Sequence, residues 1–413
     1  MRRPVAVVAL TALVVAGCSG NDSPPTAGPS TAPSSSVPIT PTEQPSTSED
    51  TPSETPTPTP TPSNTPAPNC VDQKLQTLTL REQAAQLIMT GISASGMTSA
   101  ERSVVQKQRP GSVFLLGSSG SQEHTRAAMA SVTSAATVNG IRPLIAADQE
   151  GGQIQRLKGA GFDRIPAPTT QGMWSSAKLT ARAQLWGSQL KQAGINVDLA
   201  PVADVVPNSL KSQNAPIGKL DREYGNTPGD AAQGVGAFVT GMRQAGVMTS
   251  VKHFPGLGRV RGNTDFSSGV VDTITVRGDA YLQPFADGIK AGTAMVMVST
   301  VTYTKIDPKN RAIFSPTVIQ GMVRGDLGWR GVVITDDVGA AAEVASVPVG
   351  DRATRFVAAG GDIVINAKAG LTATMVNALV AKAQQDKAFA AKLTSSVQRV
   401  LTLKQEHGLV TCG

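Results

Sequence analysis

Eight short apolar runs, many of them rich in β-branched residues, recur along the chain. They are LIMTGI (87–92), SVFLLG (112–117), PLIAAD (143–148), NVDLAP (196–201), MTSVKH (248–253), AMVMVS (294–299), GVVITD (331–336) and DIVINA (362–367). Apolar side chains on both faces of a strand suit a parallel sheet covered on both sides. Alanine-rich stretches of helical character lie between most of the runs. Thr79-Leu80-Arg81-Glu82 reads as a capping box ahead of Ala84, Leu87 and Ile88. Ser315-Pro316 sets a cap and a first-turn proline before VIQGMVRGDLG, a helix that Gly328 can end. Eight such strand–helix units in one chain predict an α/β fold, a (β/α)8 TIM-type barrel, in preference to an open doubly wound sheet. No glycine fingerprint for phosphate follows any strand, which removes the common nucleotide-binding classes.

The pattern fails at the N-terminal end, and there it points to export. MRRPVAVVALTALVVAGCSG has two arginines, an apolar core of about a dozen residues and small residues before Cys18, the layout of a secretory signal too short to span a membrane. The residues around Cys18 resemble a bacterial lipobox, so residues 1–18 are expected to be a lipoprotein signal with Cys18 as the lipidated residue. Residues 19–69 are dominated by Pro, Ser and Thr, lack aromatic residues, Lys and Arg, and contain TPTPTPTP. Such a segment has too little apolar surface to fold and reads as a disordered stalk. Residues 70–413 are then expected to form a single folded domain, exported and anchored at the outer face of the cell membrane, in the cell-wall space.

The formal charge is +7, and setting aside Arg2, Arg3 and the five acids of the stalk leaves +10 on the rest. A basic body suits anionic wall polymers or lipid headgroups, and is equally compatible with a merely soluble basic surface. Nucleic acid is not expected as a partner, because export removes it and the arginines are scattered. Beyond Cys18 only Cys70 and Cys412 remain, one at each end of the folded part. In an oxidising exterior such a pair is expected as a disulfide, and without a CxxC it does not suggest zinc.

In a barrel, the chemistry lies at the C-terminal ends of the strands. The polar residues there are Asp148 and Glu150 in DQEGGQIQR, Asp198 and Asp204 in VDLAPVAD, Lys252 and His253 in VKHFPG, and Asp336 and Asp337 in ITDDVG. Carboxylates with a few cations and amides, and no Ser-His pair or metal cluster, are the equipment of glycoside hydrolysis.

DQEGGQIQRL (148–157), NVDLAPVADV (196–205), DREYG (221–225), KHFPGLG (252–258) and GVVITDDVG (331–339) together resemble glycoside hydrolase family three, and within it the single-domain bacterial β-N-acetylglucosaminidases. The resemblance implies a retaining exo-glycosidase that needs no cofactor and acts as a monomer on β-linked GlcNAc glycans of the wall, such as peptidoglycan fragments. It implies Asp336 as the nucleophile that forms a covalent glycosyl-enzyme. It implies Asp148, Arg156, Arg222, Lys252 and His253 as sugar-binding residues, while Glu150 is expected to organise the Gly151-Gly152 turn. Only 77 residues follow Asp336, which fits the hexosaminidase branch better than the longer two-domain β-glucosidases.

One loop departs from the family pattern. Where the hexosaminidases carry Asp-Ser-His, with the histidine as acid/base, this chain has Asn263, Thr264 and Asp265, and Leu257 stands where a histidine usually follows KHFPG. Asp265 can serve directly as acid/base if neighbours raise its pKa. Otherwise another carboxylate supplies the proton, Asn-Thr-Asp is a simple turn, or the protein binds glycans and hydrolyses them poorly. A β-glucosidase or β-xylosidase of the same family remains the competing enzyme.

Overall fold

Each apolar run contains a strand in the computed structural model, which describes residues 69–411. The barrel strands are β1 (Ile88–Ser93), β2 (Ser112–Leu116), β3 (Leu144–Ala147), β4 (Val197–Asp198), β5 (Met248–Phe254), β6 (Met295–Val298), β7 (Val332–Thr335) and β8 (Val364–Asn366). They follow one another around the sheet in chain order, every neighbouring pair parallel, with Met89 opposite Ser112, Ser112 opposite Leu144 and Val197 opposite Met248. β8 pairs with β1, and a bridge between Ile334 and Ile363 joins β7 to β8 and closes the ring. The expected (β/α)8 barrel is therefore present. The signal, the stalk, Cys18 and Cys412 lie outside the described residues, within which no helix is long and apolar enough to cross a membrane.

Both faces of the strands are buried, as the unbroken apolar runs require. All four residues of β3 are in the core, and so are those of β6 and β7. The Thr79 capping box forms, with Thr79 Oγ1 accepting from Glu82 N and the Glu82 carboxylate accepting from Thr79 N, and starts the helix Leu80–Gln86. Helices Ser176–Gln192 and Pro228–Gln244 cover neighbouring units and approach very closely. A β-carbon at Gly241 would lie 2.3 Å from Thr180 O, so only glycine allows this contact.

The segment after Ser315-Pro316 is helical over Thr317–Asp326, but its turns are wider than the expected α-helix, with i→i−5 hydrogen bonds. Ser315 Oγ caps Val318 N at 3.2 Å, and Gly328 follows the helix at φ +64°. Gly321 and Gly325 place no β-carbon against the wider winding.

The last helix, Lys387–Glu406, packs under the barrel and carries a fully buried lysine. Lys404 Nζ donates to Gln86 Oε1 at 2.6 Å and Gly111 O at 2.7 Å, and burial lowers its pKa to about 7. Cys70, which opens helix Cys70–Thr77, is in a disulfide bond. Its expected partner Cys412 lies outside the described residues.

Candidate active site

The C-terminal ends of the strands converge on a cavity of about 560 Å³. Asp148, Arg156, Arg222, Lys252, His253, Asp265 and Asp336 all line it. Thus every residue expected at the sugar and the reacting bond reaches one cavity, although they come from five separate stretches of chain. Phe114, Leu199, Met297 and Ile365 provide an apolar floor, and Leu257 adds to it.

A chain of buried charges shapes one side. Lys252, at the end of β5, donates to Asp148 Oδ1 at 2.7 Å and reaches Glu150 Oε1 at 2.6 Å. Arg222 grips both oxygens of Glu150, through Nε at 2.8 Å and Nη2 at 2.7 Å, and donates through Nη1 to Pro216 O. Burial alone would raise the Glu150 carboxyl, but Arg222 and Lys252 outweigh it and hold the pKa at about 2. Glu150 therefore does something other than expected. The tight turn rests on the glycines themselves, Gly151 at φ +103° and Gly152 at φ +56°, while the Glu150 carboxylate holds two cations in place from behind. Glu150 is 1% exposed and does not line the cavity.

His253 is oriented by a partner to which sequence reasoning assigned no role. Its Nδ1 lies 2.8 Å from Asp204 Oδ2, and Asp204 Oδ1 accepts from His253 N and Leu257 N. A ring donating from Nδ1 to a carboxylate leaves Nε2 as the second polar atom, and Nε2 has no protein partner among the described residues. The KHFPGLG loop can lie this close because Gly258 packs on Val205, where a β-carbon would meet the carbonyl oxygen at 1.8 Å.

Asp198, at the end of β4, supports the same wall. Its Oδ1 accepts from Gln149 N at 3.0 Å, its Oδ2 is buried without a partner among the described residues, and burial raises its pKa to about 8. The Gln149 side chain in turn accepts from Arg156 N and Leu157 N. Arg156 lines the cavity, and its Nε is buried without a hydrogen-bond partner among the described residues.

Asp336 stands directly after β7, half-buried, with its N–H on Val298 O of β6 at 2.9 Å. Asp337 turns its carboxylate onto the N–H groups of Gly339, Ala340 and Ala367, which ties the end of β7 to the end of β8. Burial raises the Asp337 pKa, and these three donors only partly offset it. Asp337 lines the cavity as well, and its N–H donates to Asp336 Oδ1 at 2.8 Å, so the two neighbours differ in their hydrogen-bond partners and not in the cavity they face.

Asp265, in the loop after β5, lines the same cavity and is exposed to solvent. Crowding by the surrounding protein raises its carboxyl pKa to about 6, repulsion from Asp336 adds to the rise, and Arg222 and His253 oppose it. The turn itself is real: Asp265 N donates to Asn263 Oδ1 at 3.0 Å, and Ser267 N to Asn263 O at 2.8 Å. It is also pinned from a distance by Glu343. Glu343 N donates to Thr264 O, and its carboxylate accepts from Val270 N at 2.8 Å and Arg311 Nε at 2.8 Å. Nothing in the local sequence around Asp265 points to Glu343. Among the described residues no group of three or more His, Cys, Asp or Glu is placed to hold a metal ion.

Comparison with known proteins agrees with this arrangement. Residues 79–403 match the Glycosyl hydrolase family 3 N terminal domain. A beta-hexosaminidase of Stenotrophomonas maltophilia (strain K279a) is 31% identical over 291 residues, which is 68% of this chain and 82% of that protein. Among solved structures, the beta-N-acetylhexosaminidase from Beutenbergia cavernae superposes with a TM-score of 0.78 at 43% identity, covering 79% of this chain and 99% of that one. A glycoside hydrolase family 3 beta-N-acetylglucosaminidase from Paenibacillus sp. str. FPU-7 gives a TM-score of 0.71 at 27% identity, with 81% of this chain and 63% of that one covered.

Proposed function

The chain belongs to glycosyl hydrolase family 3 and is a glycoside hydrolase of the β-N-acetylglucosaminidase kind, and on that premise we propose that it removes terminal GlcNAc from wall-derived glycans in two steps with retention of configuration. In the first step an Asp336 oxygen attacks the anomeric carbon while Asp265 gives its proton to the departing glycosidic oxygen. In the second, Asp265, now a carboxylate, takes a proton from water, and the resulting hydroxide displaces Asp336 from the sugar. Lys252 with Asp148, together with Arg222, His253 and Arg156, supplies donors and acceptors for the ring hydroxyls and the acetamido group.

The observation that carries this reading is that Asp265 and Asp336 line one cavity and that the charge of Asp336 helps to raise the Asp265 carboxyl. Asp265 is held near pKa 6, partly by the charge of Asp336, so it keeps a usable fraction of proton close to neutral pH. A carboxyl that is already negative when the second step begins also disfavours phosphate as the acceptor, which supports water in that role.

Residues 1–18 and the Pro-rich segment 19–69 support an exported protein held by a lipid on Cys18, at the membrane's outer face and among peptidoglycan fragments. The decisive experiment compares aryl β-GlcNAc, β-glucoside and β-xyloside hydrolysis, and treats the enzyme with a slow fluorinated GlcNAc substrate followed by peptide mass mapping. GlcNAc preference with label on Asp336 is expected. Label on Asp337 or another acid sinks the mechanism, and preference for glucose or xylose sinks the specificity.

A further inference from the structure

We propose that Phe266 is the platform of a second sugar subsite, which receives the pyranose ring on the leaving-group side of the bond cleaved. This rests on the reading of Asp265 as proton donor given above. Phe266 lines the same cavity as Asp265 and Asp336, yet it is 83% exposed, the most exposed large hydrophobic residue among those described. A phenyl ring left in water at the mouth of an otherwise buried site gives up the stabilisation that burial would bring.

That exposure is held by the backbone. Phe266 N donates to Asn263 O at 3.1 Å, Asp265 O accepts from Ala342 N at 3.2 Å, and Glu343 ties Thr264 and Val270 on either side. The loop is thus anchored at its base while the ring makes no aromatic or cationic contact with the described residues.

Sequence adjacency sets the geometry. If Asp265 reaches the glycosidic oxygen, the next residue in a tight turn stands beside whatever that oxygen is attached to. The rim nearby is also apolar, with Ile154, Leu220 and Ala340 partly exposed on the same cavity. Such a surface suits the C–H face of an equatorially substituted pyranose, a second N-acetylhexosamine being the chemical class expected. A flat aromatic ring supplies that contact with few rotamers to freeze.

The test uses the full-length protein and two substrates with the same GlcNAc but different leaving groups: N,N'-diacetylchitobiose, which fills the second subsite, and GlcNAc β-fluoride, which does not. Phe266→Ala should raise KM for the disaccharide, lowering its kcat/KM about 5- to 10-fold more than that for the fluoride. Phe266→Trp should restore most of the difference. Equal effects on both substrates overturn the platform and leave the glycosidase reading standing. Failure of the wild-type enzyme to process either substrate overturns the glycosidase reading and the platform with it. A disaccharide-selective loss that appears in kcat instead of KM, with the alkaline limb of the pH profile displaced, would mean that the ring only supports Asp265, which also overturns the proposal.

Discussion

Replacing Asp265 with Asn removes a proton donor while keeping the shape of the side chain. Among the described residues no hydrogen bond to the Asp265 carboxylate holds the loop, whose anchors are the backbone groups of residues 263–270, Asn263 and Glu343, so the fold should be retained. With a pKa of about 6, about one Asp265 in ten is protonated at pH 7. At the ordinary aspartate value of 3.8 the fraction would be roughly one in 1,600, a difference of more than about 100-fold in available acid. General-acid assistance is typically worth about 10²- to 10⁴-fold, roughly 3 to 5 kcal/mol, and it matters most for a poor leaving group. Asp265→Asn should therefore slow chitobiose cleavage by about that factor. Nitrophenyl β-GlcNAc, which leaves without a proton, should still form the glycosyl-enzyme and then stall, giving a burst. Azide should restore turnover, because it attacks without a base.

The pH profile carries the sign. The essential acid acts protonated, so kcat/KM for the disaccharide should fall as pH rises through about 6, about tenfold per unit above it. That alkaline limb should vanish in the mutant. Equal losses on both substrates without burst or azide rescue, or an unchanged limb in Asp265→Asn, would refute the assignment of Asp265 and return the loop to a simple turn.

Other outcomes follow from the same geometry. Glu150→Ala leaves Arg222 and Lys252 facing each other without their shared carboxylate, so it should cost about 3 to 5 kcal/mol in urea unfolding and weaken sugar binding; a loss below about 1 kcal/mol would contradict the role given to Glu150. Lys404 has a folded pKa of about 7 against 10.5 unfolded, so between those values the unfolded chain binds more protons and stability gains on raising the pH. Lys404→Met should erase that gain, on the order of a few kcal/mol between pH 7 and 10, leaving the wild type's advantage over the mutant larger at high pH; parallel pH dependences would show that the buried amine is not the source. Cys18→Ser should move the protein from the membrane fraction to the soluble one, and unchanged fractionation would rule out the lipid anchor.

Much of the molecule is legible in one dimension. A strand buried on both faces must be apolar along its whole length, so eight uninterrupted runs announce eight barrel strands. A parallel barrel gathers its strand ends on one face, so Lys252, His253 and Asp336, each closing an apolar run, had to share a site. The capping box at Thr79 is equally local, since its partners lie three residues apart.

What sequence could not supply depends on contacts between distant segments. Glu150 lies in a glycine turn yet acts on Arg222 and Lys252, 72 and 102 positions away. Asp204 orients His253 across 49 positions, and Glu343 pins the Asp265 loop from more than 70. The burial of Lys404 was likewise invisible, because its partners Gln86 and Gly111 lie about 300 positions away, and the wide winding of Thr317–Asp326 has no signal in the local pattern. The same holds for the proton at Asp265. Its carboxyl is an ordinary aspartate in the unfolded chain, and only crowding and the neighbouring charge of Asp336, both created by folding, raise its pKa towards the value an acid catalyst needs.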